Sequence, residues 1–165
     1  MEDLAQLKAA VETKKWWKNT MRTSIKPKTE SHIARGWRHL KEGVYSNTVR
    51  EGPILQLVQK ILGDEITDVC CNRNVTCHPH RDKANTSAQS FFLMWGDFEG
   101  GALNVDELGK IRRITEKDVW HSFNGQRDLH WNDPHTGNKF SVVAFTRRPP
   151  NYARSKINAG SSEGT

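Results

Sequence analysis

The texture of the chain changes at Gly63, and that change limits the fold more than any other feature of the sequence. Beyond it, short β-type segments alternate with turn residues as far as residue 146. The segments are 66–71, 75–80, 90–95, 102–105, 111–115, 119–123, 128–131 and 139–146. Gly100-Gly101 and Asn124-Gly125 punctuate them, and Asn-Gly favours tight hairpin turns. Strands this short and this numerous predict a barrel or a sandwich.

Ahead of the strands the spacing turns helical. Leu4, Leu7, Ala10 and Val11 predict a short amphipathic helix. Lys26-Pro27-Lys28 marks a turn or loop. Ile33, Trp37, Leu40 and Val44 recur every three or four residues and predict a helix over 31–45. Gly52-Pro53 opens another over 53–62, because Pro is tolerated in a first turn. Its buried face is Ile54, Leu55, Leu57, Val58, Ile61 and Leu62, and Gly63 ends it. The expected organisation is a basic, partly helical segment 1–30, then one domain over 31–148. That domain has a helical layer, 31–63, and a β core, 66–148. A frayed tail rich in Pro, Ser and Gly follows over 149–165. There is no internal repeat.

With 165 residues the chain can bury a real core, and no apolar run reaches the roughly 18 residues a membrane helix needs. The N-terminus has no basic start followed by an apolar stretch, so no secretory signal is expected. Cys70, Cys71 and Cys77 are an odd set, which argues for reduced thiols in an intracellular protein. The formal charge of +6 suits a polyanionic partner, whose counterions Lys and Arg displace. Lys14-Lys15-Trp16-Trp17-Lys18 has two readings: rings that stack on bases, or tryptophans that cap the core beneath solvated lysines. The second is favoured.

His80-Arg81-Asp82 is the first triplet with chemistry in it. On an extended segment residues i and i+2 point to one side, so an imidazole and a carboxylate can converge on one metal ion. A third ligand must come from another strand. Two histidines and one carboxylate on one face of an octahedron are the ligands of non-haem iron(II) oxygenases. Alone, His-x-Asp is common by chance, and a surface pair near a turn would be the better reading. The context raises the odds: His78-Pro79-His80-Arg81-Asp82-Lys83-Ala84-Asn85, then Gly100-Gly101-Ala102-Leu103, then Leu129-His130, then Gly137-Asn138-Lys139-Phe140-Ser141.

In that order these motifs resemble the double-stranded β-helix dioxygenases of the TET and J-binding-protein group, which oxidise methyl groups on pyrimidine bases. The resemblance covers roughly residues 68–148. It implies an α+β, mainly β fold: a jelly-roll or cupin-like double-stranded β-helix with N-terminal supporting helices. It implies iron(II), 2-oxoglutarate and O2, with ascorbate as a reductant. His80, Asp82 and His130 fall on the metal ligands. Lys139 falls on the residue that grips the far carboxylate of 2-oxoglutarate, with Ser141 as a hydroxyl donor beside it. Asn85 falls on a base-pocket residue and Phe145 on an aromatic that stacks on the extruded base. Arg147 stands where animal TET proteins place a base-contacting His. The group most often has Arg where this chain has Lys139, and a lysine offers a point charge rather than a planar fork. The large cysteine-rich region of animal TET proteins is absent.

The implied activity is oxidation of a nucleic-acid pyrimidine, 5-methylcytosine in DNA first and thymine second. The protein is expected to be a monomer, with a nuclear location following from a DNA substrate. Two other classes remain open: the same chemistry on a protein side chain or small molecule, and a non-catalytic nucleic-acid-binding module. Positive surface around the mouth of the core would favour a nucleic acid. Among rival readings, Cys70, Cys71, Cys77, His78 and His80 lack the Cys-x-x-Cys spacing of structural zinc. His135 competes with His130 but lies in Asn132-Asp133-Pro134-His135-Thr136-Gly137, which reads as a turn. Trp95, Trp120 and Trp131 read as core or pocket wall, His121 as a core or rim residue of a strand, and Gly100-Gly101 as a strand connection.

Overall fold

The computed structural model describes residues 2–14, 16, 18–19, 29–35, 38–41, 44–46 and 52–147, with side chains described over 2–14, 16 and 52–147. The Lys26-Pro27-Lys28 loop, Lys15, Trp17, Trp37, Arg148 and the tail 149–165 lie outside the described residues, as does the side chain of Lys18. In chain order the elements are α1 (Glu2–Thr13), β1 (Lys18–Asn19), β2 (Thr29–Arg35), β3 (Arg38–Lys41), β4 (Val44–Ser46) and α2 (Pro53–Leu62). There follow β5 (Asp68–Arg73), β6 (Ser90–Gly100), β7 (Leu103–Glu107), β8 (Lys110–Ile114), β9 (His121–Phe123), β10 (Leu129–Asn132) and β11 (His135–Phe145).

Two antiparallel sheets make the core. One has the order β1-β2-β5-β11-β6-β9 and the other β10-β7-β8, while β3 and β4 form a separate pair. The alternation of side chains along each strand divides the large sheet into two faces. Val69 and Cys71 of β5, Leu93 and Trp95 of β6, and Phe140, Val142 and Ala144 of β11 pack under the helices with Leu7, Val11, Leu55 and Val58. Phe92, Met94 and Phe98 of β6 face the other way, against Leu103, Val105, Ile114 and Phe123. The chain is therefore a β sandwich with a helical cover on one outer face.

Two of the three expected helices are present. Pro53 occupies the first turn of α2, and the amide of Gly63 closes its end on the carbonyl of Gln59 at 2.8 Å. Leu7 and Val11 are the buried residues of α1. The indole of Trp95 donates to Glu12 at 2.8 Å and ties α1 to the sheet. Trp16 packs against Phe140 with ring centroids 6.3 Å apart, with the Lys14 ammonium 4.2 Å over its ring, so it caps the core as expected.

The helix expected over 31–45 is not there. The described residues of that run fall in β2, β3 and β4, and β2 pairs with β5 in the register Ile33↔Cys70. A few apolar residues at helical spacing are weak information, and Gly36 and Gly43 interrupt the run. For β2 the edge of β5 decides the matter by offering a ladder of backbone partners, while β3 and β4 pair with each other. The strand expected over 75–80 shrinks to isolated bridge residues at Cys77 and His80. The turn expected at 132–137 is short, because β11 already begins at His135. Gly137 there has φ +95, and a Cβ on it would lie 2.3 Å from the carbonyl oxygen of Asp97 on β6. Only glycine lets the two long strands approach so closely at that point.

Candidate metal centre

His80 and His130 form a two-residue antiparallel bridge. The amide of His80 donates to the carbonyl of His130 at 3.1 Å, and the reverse bond is 3.0 Å. Residues directly opposed across such a pair put their side chains on the same face. Their rings accordingly stand with centroids 4.2 Å apart. Asp82, two residues beyond His80, brings its carboxylate to the same side. Its Oδ1 is 3.7 Å from His80 Nε2, and its Oδ2 is 3.2 Å from His130 Nε2. Three donor atoms of these residues all lie within 4.8 Å of one another, and among the described residues they form the one such His/Cys/Asp/Glu group.

The backbone orients both rings. Nδ1 of His80 lies 2.7 Å from the carbonyl of His78, and Nδ1 of His130 lies 2.9 Å from that of Asp128. A carbonyl can only accept, so each Nδ1 carries a proton, and in the neutral ring that leaves the Nε2 lone pair for a metal. Such an outer bond fixes tautomer and ring plane together. His130 is buried and meets the edge of Phe123 at 5.1 Å, while His80 and Asp82 are half-buried. Two imidazoles and one carboxylate fit iron(II), with one side left open.

That open side is a cavity of about 310 Å³. Ser141, Asn85, Phe145 and Arg147 line it with the triad. Arg81 and Lys83 also border it, and among the described residues Asp82 is its one acidic lining residue. Asn85 is buried and donates to Ser90 Oγ at 3.4 Å. Asn72 and Asn132 line the cavity too, and neither was singled out from the sequence. Asn72 sits opposite Ser141 in the β5–β11 register, its amide 3.5 Å from the hydroxyl. The signal for it was present: alternation from Cys70 points Asn72 inward once the strand is extended past 71.

Lys139 does not border the cavity. It is 2% exposed, on the same face of β11 as Ser141, and its ammonium donates to the carbonyl of Gly101 at 2.6 Å. A Cβ at Gly101, where φ is +69, would stand 3.2 Å from that nitrogen. Burial lowers the Lys139 pKa to about 8, with Cys77 and Asp133 acting in the opposite sense.

The rival readings separate cleanly. His135 is not in the metal group: its Nε2 lies 3.3 Å from Asn74 Oδ1, and burial, then Lys139, lowers its pKa. Cys71 faces the helices, where burial pushes its thiol up to about 12, so it is no metal-ready thiolate. Cys70 and Cys77 line the cavity without joining the triad, and His78 is exposed. His121 opens β9 half-buried, with Nε2 2.9 Å from the carbonyl of Glu116. Trp95 lies in the core stacked 5.7 Å from Phe140, and Trp120 packs against that core. Gly100 ends β6 and Gly101 links it to β7, which makes the pair a strand connection.

No family model matches the chain, and no curated protein matches it. Solved structures do. An oxidoreductase of the 2OG-Fe(II) oxygenase family from Burkholderia pseudomallei is similar with a TM-score of 0.57 and 16% identity, over 86% of this chain and 77% of that one. Two looser likenesses are a bsmA homolog from Methylobium petroleophilum and a Pseudomonas putida prolyl-4-hydroxylase. The first has a TM-score of 0.49 and 10% identity, over 88% of this chain and 82% of that one. The second has a TM-score of 0.41 and 17% identity, over 58% and 60%. At such identity the first likeness speaks for architecture: this chain has the double-stranded β-helix fold found in a 2OG-Fe(II) oxygenase.

Proposed function

We propose that the chain is an iron(II)- and 2-oxoglutarate-dependent dioxygenase that oxidises the methyl group of a pyrimidine in nucleic acid, 5-methylcytosine in DNA first and thymine second. The observation that carries the iron reading is the convergence of His80 Nε2, His130 Nε2 and the Asp82 carboxylate beside a cavity, on the fold of such an oxygenase. Iron bound there, with 2-oxoglutarate and O2, supplies the oxidation: the cosubstrate leaves as succinate and carbon dioxide, and a hydroxyl group is placed on the substrate.

The chain's own residues supply binding and aim. His80, Asp82 and His130 would hold the metal. Ser141 and Asn72 present a hydroxyl and an amide to the cavity. Lys139 is assigned to the far carboxylate of the cosubstrate because it lies on the Ser141 face of β11; its ammonium is held on the Gly101 carbonyl outside the cavity lining, so cosubstrate binding there requires that contact to open or be shared. The cavity is near the small end of ligand pockets, roughly 300–1,000 Å³. It favours one planar ring beside the cosubstrate over a base pair, so a duplex base would have to leave the stack at a cost of a few kcal/mol. Asn85 and Phe145 line the space for its polar edge and its face. Arg81, Lys83 and Arg147 line the cavity, where Asp82, assigned to the metal, is the one acid among the described residues, and this positive lining supports a polyanionic substrate. The proposed enzyme works as a monomer, and with chromosomal DNA as substrate a nuclear site of action follows.

The test is mass spectrometry of nucleosides after incubation with methylated DNA, iron(II), ascorbate and 2-oxoglutarate, with Asp82→Ala beside the wild type. New 5-hydroxymethylcytosine, absent with Asp82→Ala, is the expected result. Unchanged bases alongside Asp82-dependent succinate would move the substrate to a protein or small molecule. Folded protein giving neither product would leave a binding module.

A further inference from the structure

Four hydrogen bonds run from the metal-ligating segments to one short turn, residues 124–128. The amide of Asp82 donates to the carbonyl of Gly125 at 2.8 Å. Arg81 Nε donates to the carbonyl of Arg127 at 2.8 Å. Gln126 Nε2 donates to the carbonyl of Asn85 at 2.5 Å, and the amide of Asn85 returns to the carbonyl of Asp82 at 3.0 Å. From the other side, His130 Nδ1 donates to the carbonyl of Asp128 at 2.9 Å. The turn is closed on itself, because Asn124 accepts from the amides of Arg127 and Asp128, each at 2.9 Å. Ligands that come from distant parts of the chain thus share one rigid anchor.

We propose that this turn positions the iron ligands, and that Gly125 is the residue on which the aim of the Asp82 carboxylate depends. The proposal rests on the iron reading above. A Cβ at Gly125 would stand 3.2 Å from Asp82 Oδ2, 2.9 Å from Ser90 Oγ and 3.2 Å from Phe123 Cε2. That carboxylate oxygen is the one 3.2 Å from His130 Nε2. Gly125 has no positive φ, so alanine meets no backbone strain there and its effect is one of space alone. Ser90 is fully buried and Phe123 nearly so, while Asp82 borders the cavity. The carboxylate is therefore the neighbour with room to yield, and yielding turns it off the point it shares with the imidazoles. Gly125 is a positioning residue, as is Gln126 at the far end of the 82–85 turn.

The test uses the full chain and Co(II), whose visible absorption reports ligand geometry without turnover. Gly125→Ala should stay folded by circular dichroism yet lose about tenfold or more in Co(II) affinity, with altered visible bands. Adding Ser90→Ala removes the tightest contact, so it should recover thermal stability without recovering affinity. Gln126→Ala, at an exposed side chain, should lose roughly twofold to fivefold in affinity with melting little changed. A folded Gly125→Ala with wild-type affinity and bands overturns the proposal, as does a double variant that recovers both properties. Where Gly125→Ala does not fold, unchanged affinity in Gln126→Ala overturns it. A wild-type protein that binds no Co(II) sinks the iron reading itself and this inference with it, an outcome distinct from variants that match a metal-binding wild type.

Discussion

A lysine sealed from water is costly unless its charge is used, and Lys139 is 2% exposed with one carbonyl as its hydrogen-bond acceptor. Its pKa, lowered by burial from 10.5 to about 8, gives the proposed cosubstrate site a pH dependence. Below about 8 the ammonium is charged and binds a carboxylate; above it the free protein must first take up a proton. The dissociation constant for 2-oxoglutarate should therefore rise toward tenfold per pH unit above 8, measured by calorimetry between pH 7 and 9.5. Lys139→Arg, whose guanidinium stays charged, should flatten that rise. A flat profile in the wild type would remove Lys139 from the cosubstrate site. The stability of the unliganded protein has the opposite sign. Because the folded pKa is the lower, the unfolded chain binds more protons between pH 8 and 10.5, so this residue's contribution makes stability rise with pH across that window. At this scale the His80–Asp82 pair was legible, because i and i+2 share a side on any extended chain. The direction of Lys139 was not, since it depends on Gly101, which is distant in sequence.

Between elements, helix α2 shows what local pattern can carry. Its Pro53 start, its Gly63 end and an apolar face that includes the buried Leu55 and Val58 are written within one short segment. Leu55→Ala should lower the unfolding free energy by about 2–5 kcal/mol, read from urea denaturation, since it empties space under the helix. The β7–β8 hairpin makes the converse point. Its two central residues, Leu108 and Gly109, have φ of 56° and 93°, as a type I′ turn requires. Leucine is poorly suited to that conformation and here is 80% exposed, so nothing in the core compensates. Leu108→Asn should raise stability by about 1 kcal/mol in the same assay. At β2 local spacing pointed to a helix and was overruled, because strand pairing with β5 is a property of two distant segments, while β3 and β4 pair with each other.

Over the whole molecule, the positive formal charge becomes informative only through its placement. Arg81, Lys83 and Arg147, from both ends of the β core, are among the residues lining the cavity, while Arg113 is paired with Asp133 and does not line it. If those lining residues hold phosphates, affinity for an oligonucleotide should fall as salt rises, with a log–log slope set by the number of contacts. Lys83→Ala and Arg147→Ala should each reduce that slope by about 1, measured by fluorescence anisotropy over a salt series. Slopes equal to the wild type's would place the polyanion elsewhere.

The sequence by itself determined the alternation that makes a two-faced β core, the two flanking helices, and one arm of the metal site in His80 and Asp82. Those features depend on residues within a turn or two of one another, where spacing alone dictates direction. Only the tertiary structure decided that 29–35 is a strand on β5, that the Lys139 ammonium is held by Gly101 and that Gly125 backs the Asp82 carboxylate. Each of these depends on contacts between segments far apart in the chain, and no local periodicity encodes which distant partner a strand edge or a side chain will meet.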